Sequence, residues 1–437
     1  MLLVAGGATV ALAAALRLWR LDLTMFERDE GALIRIAEDI VRSGQMPLTG
    51  PMFSQGVPSA PHFMYLLAPL IAVSRDPAFI SGAIGLANVA GIGATLWLGW
   101  RGFGPLAGVI AALLYAASPW ATFYARRIWQ PDILAPLAAF LFVALDLAIV
   151  ERRAWWAAIT FPIAVLAVLV HPSFATLLPV LIVPAGVLIR TRQWRPLLLG
   201  AAVAALITLP TAVREVQTRL VDVANMRYYS SLHTWVDLEA VTDTLVLATG
   251  LSAPHDVTVP PFDHAIPGWL VQVGAGLETL LLVIALGVAI WLAVRARGAL
   301  RLRLVGVLAW FLLPVVLEIR HTLPLHVHYF LHAYPAIFLI MGLAAAWLLS
   351  HAGKLSRIVL ATSLAAIVVL QGVEITHGLN VATATSDACY GRPLNTEEAI
   401  EREIVDFAAP TGATRAAMEF ATDDALPRGY LARADFG

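Results

Sequence analysis

Three carboxylates stand where an apolar chain has least reason to keep them. Asp29 and Glu30 come a few residues after an apolar run, and Asp132, directly behind Pro131, opens another. A carboxylate held close to low-dielectric lipid tends toward a raised pKa and can take a proton as a base. Arg126 and Arg127 lie one short loop before Asp132, and arginines beside an acid can bind a phosphate group. His326, His328 and His332 follow at two- and four-residue spacing, with His321 upstream. On an α-helix His328 and His332 would share a face suited to a metal ion. Each group also has a plainer reading. Asp29 caps a helix while Glu30 is solvated, Asp132 caps another behind its proline, the arginines meet lipid head groups, and the histidines are interfacial hydrogen-bonding groups.

The composition says what kind of scaffold must hold these groups. At about 150 residues per domain, a chain of 437 residues would make three soluble domains. However, 59% of the residues are hydrophobic and only 14% are charged, against about 25% charged in a soluble domain. A water-facing surface cannot be built from so few charges, which excludes a large soluble enzyme, a disordered chain and a nucleic-acid binder. The 29 basic and 30 acidic residues nearly cancel, so bulk charge selects no partner. Cys389 is the single cysteine, which excludes an internal disulfide framework, and Lys354 is the single lysine.

The expected fold is all-α: a polytopic membrane protein of about eleven helices, since about 20 apolar residues cross the hydrocarbon. The runs are 2–18, 78–99, 104–119, 132–150, 155–170, 174–190, 196–212, 269–294, 302–318, 329–350 and 356–373. The first is read as a span rather than a signal peptide, because no basic leader precedes it and Arg17 and Arg20 stand where a cleavage site needs small residues. One set of short loops holds Arg101, Arg152, Arg153, Arg190, Arg192, Arg195, Arg295, Arg297, Arg301, Arg303, Lys354 and Arg357, with only Glu151 opposing. The positive-inside rule makes these loops cytoplasmic. The segments 19–77, 213–268 and 374–437 then fall outside, with most of the acids. The reading is a multi-pass protein of the plasma (inner) membrane with its N-terminus cytoplasmic. Residues 1–373 form the membrane module and 374–437 a short extracytoplasmic tail. Loops this long are usually functional, so the chemistry belongs to the outer face.

Segment 26–43 reads as an amphipathic interfacial helix. Leu33, Ile36, Ala37, Ile40 and Val41 recur at helical spacing, and Glu30, Arg35, Glu38, Asp39 and Arg42 are assigned to the opposite side. Val57 to His62 marks an irregular loop before a second apolar segment at Phe63 to Pro69. In the loop 213–268, Tyr228, Tyr229, Trp235 and Phe262 suit stacking on sugar faces or an interfacial belt, and Pro260-Pro261 suggests a fixed bend. Thr396 to Phe407 in the tail has helical spacing. Asp146 and Glu278, near span ends, are expected to snorkel or pair, and His171-Pro172 reads as a turn.

Taken together, these residues resemble the polyprenyl-phosphate-sugar-dependent glycosyltransferases of the C-type membrane superfamily, in pattern most like the protein O-mannosyltransferases and lipid A aminoarabinose transferases. The resemblance covers residues 1–373. It rests on Asp29-Glu30 followed by the interfacial helix and the Ser43-Gly44-Gln45-Met46 turn, on Ser59 to Tyr65, on Pro131-Asp132, and on His328 to Ala336. The chain departs from the pattern at three places. Ser59-Ala60 replaces a lysine before Pro61, His328 stands where Arg or Lys is frequent, and His171-Pro172-Ser173 replaces a Thr-Lys-Gly-like turn. Aminoarabinose specificity is not supported by these residues.

The resemblance implies transfer of a sugar from a polyprenyl-phosphate carrier to a lipid, glycan or protein acceptor, by one displacement with inversion. Asp29 would be the base, Glu30 would position the acceptor or a metal, and Asp132 would share that site. Arg126, Arg127, His328 and Tyr329 would face the donor phosphate, and His62, Tyr228 and Trp235 the acceptor or sugar. A divalent cation at Asp29 and Asp132 is compatible with acids and histidines approaching one face. The competing reading is a transporter or flippase of lipid-linked sugars, which should place ionisable groups near the midplane or show two similar halves. The acids cluster instead at the outer interface, without an internal repeat. A structural assembly subunit is a third reading.

Overall fold

Within lipid, backbone N–H and C=O groups have no water to pair with, so apolar runs of this length must satisfy them internally as helices. The computed structural model, which describes residues 1–53, 57–232, 234–249, 267–384 and 392–408, is built almost wholly of helices. It opens with α1 (Leu2–Leu18), α2 (Arg28–Ser43), α3 (His62–Val73), α4 (Pro77–Phe103), α5 (Pro105–Ala117), α6 (Pro119–Tyr124) and α7 (Leu134–Leu145). Among the described residues, eight helices are long and apolar enough to cross a membrane. They are Pro77–Phe103, Gln130–Val150, Pro172–Arg190, Trp194–Gln217, Gly268–Arg295, Gly298–Leu317, Val327–His351 and Lys354–Thr383. The protein is therefore a multi-pass, all-α membrane protein. The other three expected spans are present as shorter apolar helices, α1, α5 and Ala154–Val170. The reason at α5 is local: Ser118-Pro119 breaks the helix and caps α6, Ser118 accepting from the Ala121 N–H. Cys389, Pro260, Pro261 and Phe262 lie outside the described residues.

The core forms around the helix Tyr334–His351, whose residues from Tyr334 to Ala345 are all buried. It packs against α5 and Gly268–Arg295. Close approach needs small residues, because lipid gives helices no hydrophobic reason to associate. A Cβ on Gly342 would sit 2.5 Å from the Ala107 carbonyl oxygen and 2.7 Å from Ala111, so only glycine allows this crossing. Tyr115, Tyr334 and Phe338 stack beside it, Tyr115 to Phe338 at 5.2 Å between ring centres. Arg17, fully buried, donates to the carbonyls of Ala116 (3.0 Å) and Tyr115 (3.3 Å) and so caps the broken end of α5.

The two ends of the span Gln130–Val150 separate two polar regions. At the Asp146 end, Arg303 forks onto Asp146 at 2.7 and 3.1 Å and donates to the Arg101 carbonyl at 3.2 Å. Arg101 and Arg153 pair there with Glu151. The expected pairing of Asp146 is observed. Glu278 also pairs, accepting from Gln371 at 2.5 Å. At the Asp132 end lie α2, α3 and the irregular segments described below. A two-stranded antiparallel ladder joins β1 (Trp235–Val236) to β2 (Arg320–His321). The helix Lys354–Ala384 runs past residue 373, and residues 392–394 meet the first loop. Phe26 N–H donates to the Arg392 carbonyl at 3.0 Å and Leu394 N–H to the Thr24 carbonyl at 2.9 Å, ahead of a helix at Leu394–Ala408.

Gly342→Val is expected to destabilise the bundle by about 1–3 kcal/mol or more, since backbone rather than a flexible side chain meets the new atoms. Gly287→Ala, where nothing lies within 4 Å, should be neutral. Melting of the detergent-solubilised variants checks the pair, and equal stability would refute the close-packing account.

Candidate active site

The helix α2 starts at an extended Glu27, whose backbone N–H donates to Glu30 Oε2 at 3.1 Å in a capping box. It ends at Gly44 with φ +68°, a left-handed conformation that favours glycine. The cap is thus Glu27 rather than Asp29. Leu33, Ile34, Ala37 and Ile40 are buried, and so are Glu30 and Glu38. The assignment of these two acids to the solvated side is corrected by the helix geometry: Glu30 precedes Leu33 and Ile34 by three and four residues, so it shares their stripe. Glu38 is matched by Arg42 at 2.8 Å and Arg75 at 3.5 Å. Asp29, next to Glu30, is exposed.

Glu30 has no solvent exposure, and its second oxygen receives Arg127 Nη2 at 3.0 Å and Nε at 3.3 Å. Burial alone would lower the pKa of the Arg127 guanidinium, but the carboxylates of Glu30 and Asp132 outweigh it and hold the pKa above its ordinary value. The guanidinium lies 4.5 Å over the Trp129 ring. Asp132 sits in the 3-10 turn Gln130–Ile133 that opens its span. Its main chain is fixed by Asn88 of α4, which donates to the Asp132 carbonyl at 3.0 Å. Its two carboxylate oxygens are buried and have no hydrogen-bond partner among the described residues.

Trp129 leads from Arg127 to a set of imidazoles. Its ring lies 4.5 Å from His328, which lies 4.6 Å from Tyr329 and 5.8 Å from His171. His171 closes the set at 5.5 Å from Tyr329 and begins the turn Pro172–Leu181. Residues Val327–Ala333 form a 3-10 helix. With about three residues per turn, positions four apart point different ways. His332 accordingly bonds Thr176 at 3.1 Å instead of sharing a face with His328.

The structure thus brings Asp29, Glu30, Asp132, Arg127, His328 and Tyr329 to one end of the bundle. Arg126 is placed differently. Its guanidinium donates to the carbonyls of Leu16, Trp19 and Arg20, and its own carbonyl accepts from Thr24 and Ser81. That ties the loop to the end of α1. His62 bonds the Ile207 carbonyl at 2.6 Å. Tyr228 is exposed beside Tyr229, and Trp235 stacks on His321. Among the described residues, the group of three or more ligating side chains close enough for one ion is Asp237, Glu239 and His321, which contains neither Asp29 nor Asp132. Trp129 and His171 are site residues that the sequence reading did not include. The signals were Trp129 between the Arg126-Arg127 and Pro131-Asp132 motifs, and His171 at one of the departures from the family pattern.

No protein-family model matches this chain, and no curated protein sequence does. Solved structures do share its fold. ArnT from Cupriavidus metallidurans bound to undecaprenyl phosphate superposes with a TM-score of 0.63 at 17% identity, over 98% of this chain and 84% of that one. The apo form gives 0.61 at the same identity and coverage. The apo oligosaccharyltransferase of Archaeoglobus fulgidus gives 0.55 at 14% identity, over 99% of this chain and 60% of that one. The chain therefore shares the fold of these ArnT and oligosaccharyltransferase structures.

Removing Arg127 alone strands a buried carboxylate. Arg127→Met is expected to cost about 3–5 kcal/mol, and Glu30→Met added to it should restore most of the loss. Melting of both variants in detergent tests the coupling; strictly additive losses would show that the pair does not hold the site together.

Proposed function

We propose that this protein is a membrane glycosyltransferase that moves a sugar from a polyprenyl-phosphate carrier to a lipid, glycan or protein acceptor, with inversion. The observation that carries the reading is Asp132, a buried carboxylate with no hydrogen-bond partner among the described residues, beside the Glu30–Arg127 pair. Support for the donor class comes from the shared fold, since the ArnT structure holds undecaprenyl phosphate.

In this reading the acceptor enters from the exposed side of α2. Asp29 takes its proton, the acceptor oxygen bonds to the anomeric carbon, and the bond from that carbon to the phosphate oxygen breaks. Charge then develops on the departing polyprenyl phosphate and needs preorganised donors. Arg127, His328 and Tyr329 supply that environment. Glu30 is a positioning residue, because it holds Arg127. Arg126 acts on the loop that carries Arg127, through the main-chain bonds given above. His62, Tyr228 and Trp235 remain candidates for the acceptor side.

A divalent cation between Asp29 and Asp132 fits this end poorly. Arg127 already supplies a fixed positive charge to Glu30 and Asp132, and Asp29 is on the exposed face. No step here depends on a metal. In the proposed membrane arrangement the N-terminus is cytoplasmic and the site extracytoplasmic, in the plasma (inner) membrane. The three shorter helices complete eleven crossings, α5 continuing through α6 to a length of about 30 Å. Residues 1–373 form the transferase module and 374–437 its outer tail.

A second reading has one observation in its favour. Glu278 and Gln371 bond to each other within two membrane helices, and ionisable groups inside spans mark transport pathways. One experiment separates the two. Purified protein is given radiolabelled polyprenyl-phosphate sugars and candidate acceptors in proteoliposomes. Asp29→Asn and Asp132→Asn should each lower transfer by about 100-fold or more while melting like the wild type. Glu30→Gln should mainly raise the KM for the donor. Full activity in both aspartate variants would overturn the site, and movement of the carrier without transfer would favour the transporter.

A further inference from the structure

A second polar cluster lies away from the Glu30–Arg127 pair, where the loop after Leu232 meets the loop after Leu317. Two short strands, Trp235–Val236 and Arg320–His321, pair there, and a ladder of two residues is too short to hold two loops by itself. Just after β1, Asp237 and Glu239 turn their carboxylates toward His321 in β2. His321 Nε2 lies 3.3 Å and 3.4 Å from the two Asp237 oxygens and 3.9 Å from Glu239 Oε2. All three donors fall within 4.8 Å of one another.

The surroundings fix how the imidazole presents itself. His321 is 5% exposed, and its ring is stacked on Trp235 at 5.5 Å between centres with 16° between planes. Its Nδ1 lies 2.7 Å from the Leu323 carbonyl oxygen. A carbonyl can only accept, so Nδ1 carries the proton. In a neutral ring Nε2 then aims a lone pair at the carboxylates. This is the arrangement of a metal-ligating histidine, whose other nitrogen donates to a main-chain carbonyl. Asp237 is oriented as well, because its Oδ1 accepts the Glu239 N–H at 2.9 Å.

A lone pair facing two carboxylates is repulsive unless a cation lies between them. A proton on Nε2 would pair with Asp237 and attract Glu239 as well, but a proton has no coordination sphere, whereas a metal ion binds all three donors at once. A tetrahedral zinc with bonds of about 2.0–2.2 Å holds its donors about 3.3 Å apart, which is the separation of His321 from Asp237. Two carboxylates and a neutral imidazole carry a charge of −2, which a divalent ion balances. Imidazole with carboxylates is a donor set for zinc or a neighbouring transition metal rather than for calcium or magnesium. Glu318, two residues before β2, is a further carboxyl neighbour of His321.

We propose that Asp237, Glu239 and His321 form a zinc-class metal site that fastens residues 234–239 to residues 318–327. The site does not rest on the glycosyltransferase reading. Its ligands come from two loops on which β1 and β2 already meet, and three ligands leave a coordination position for water or another donor. Its effect is structural: the ion ties together two segments that the two-residue ladder alone leaves weakly joined.

The test uses the full chain in detergent, stripped with EDTA and dialysed, then given zinc alone. Elemental analysis after removal of excess metal should find one zinc per chain, and cobalt in its place should give the visible absorption of a tetrahedral site. His321→Ala and Asp237→Asn should lose the stoichiometric metal, whereas His351→Ala, an exposed histidine elsewhere, should keep it. Zinc should raise the melting temperature of the wild type and not of the His321 variant, and His321→Gln provides a second variant if the alanine form does not fold. Absence of stoichiometric zinc in the wild type, or undiminished zinc in both His321 variants, would overturn the proposal. Sugar transfer is not the readout, so failure here leaves the glycosyltransferase reading standing, and the reverse.

Discussion

The ion pair between Glu30 and Arg127 is the interaction on which the site depends. Both partners are buried, and neither is tolerable alone at the edge of a lipid-facing bundle. Pairing them fixes α2 to the loop between α6 and the span beginning at Gln130. The loop thereby sets Trp129 under the guanidinium and carries Asp132 into the same region. The same residue, Glu30, also accepts the Glu27 N–H and so closes the first turn of α2. One carboxylate thus sets the start of the helix and the position of the arginine.

That dual use explains what was legible in the sequence. Asp29, Glu30 and Asp132 could be singled out as candidates from their scarcity, and the helix that carries the first two from its apolar spacing. Their division of labour could not be read from types and spacing alone. Counting Glu30 among the polar residues of α2 placed it in water, yet its register with Leu33 and Ile34 places it in the apolar stripe. Glu38 has the same register relative to Ile34 and is also buried. An acid in line with an apolar stripe needs a cation from another element, and the identity of that element depends on a contact 97 residues away in sequence. The adjacent Arg126 has the same chemistry in the sequence and a different place in the fold, because it closes the turn after α6, its N–H donating to the Phe123 carbonyl at 3.1 Å, and its guanidinium reaches back to the end of α1. The fold class was legible because hydrocarbon leaves so few solutions for the backbone, while span lengths were less so, since prolines and serines cut helices inside apolar runs.

The deeper regularity lies in how polar groups reach this end of the bundle. Three spans, those containing Gln130–Ile133, Pro172–Leu181 and Val327–Ala333, begin as 3-10 turns rather than as α-helix. Each is preceded by an extended residue, Trp129, His171 and His326 respectively. A tight opening turn exposes main-chain groups that an α-helix would satisfy, and irregular backbone at membrane depth is stable only where protein surrounds it. Contacts among the three turns meet that condition. They also deliver Asp132, His171 and His328 to one place. The irregularity that makes these spans poor helices at their ends is therefore what gathers the side chains. A regular α-helix through Asp132 or His328 would rotate each by a different angle and separate them, so the candidate chemistry and the departures from regular helix have one structural cause.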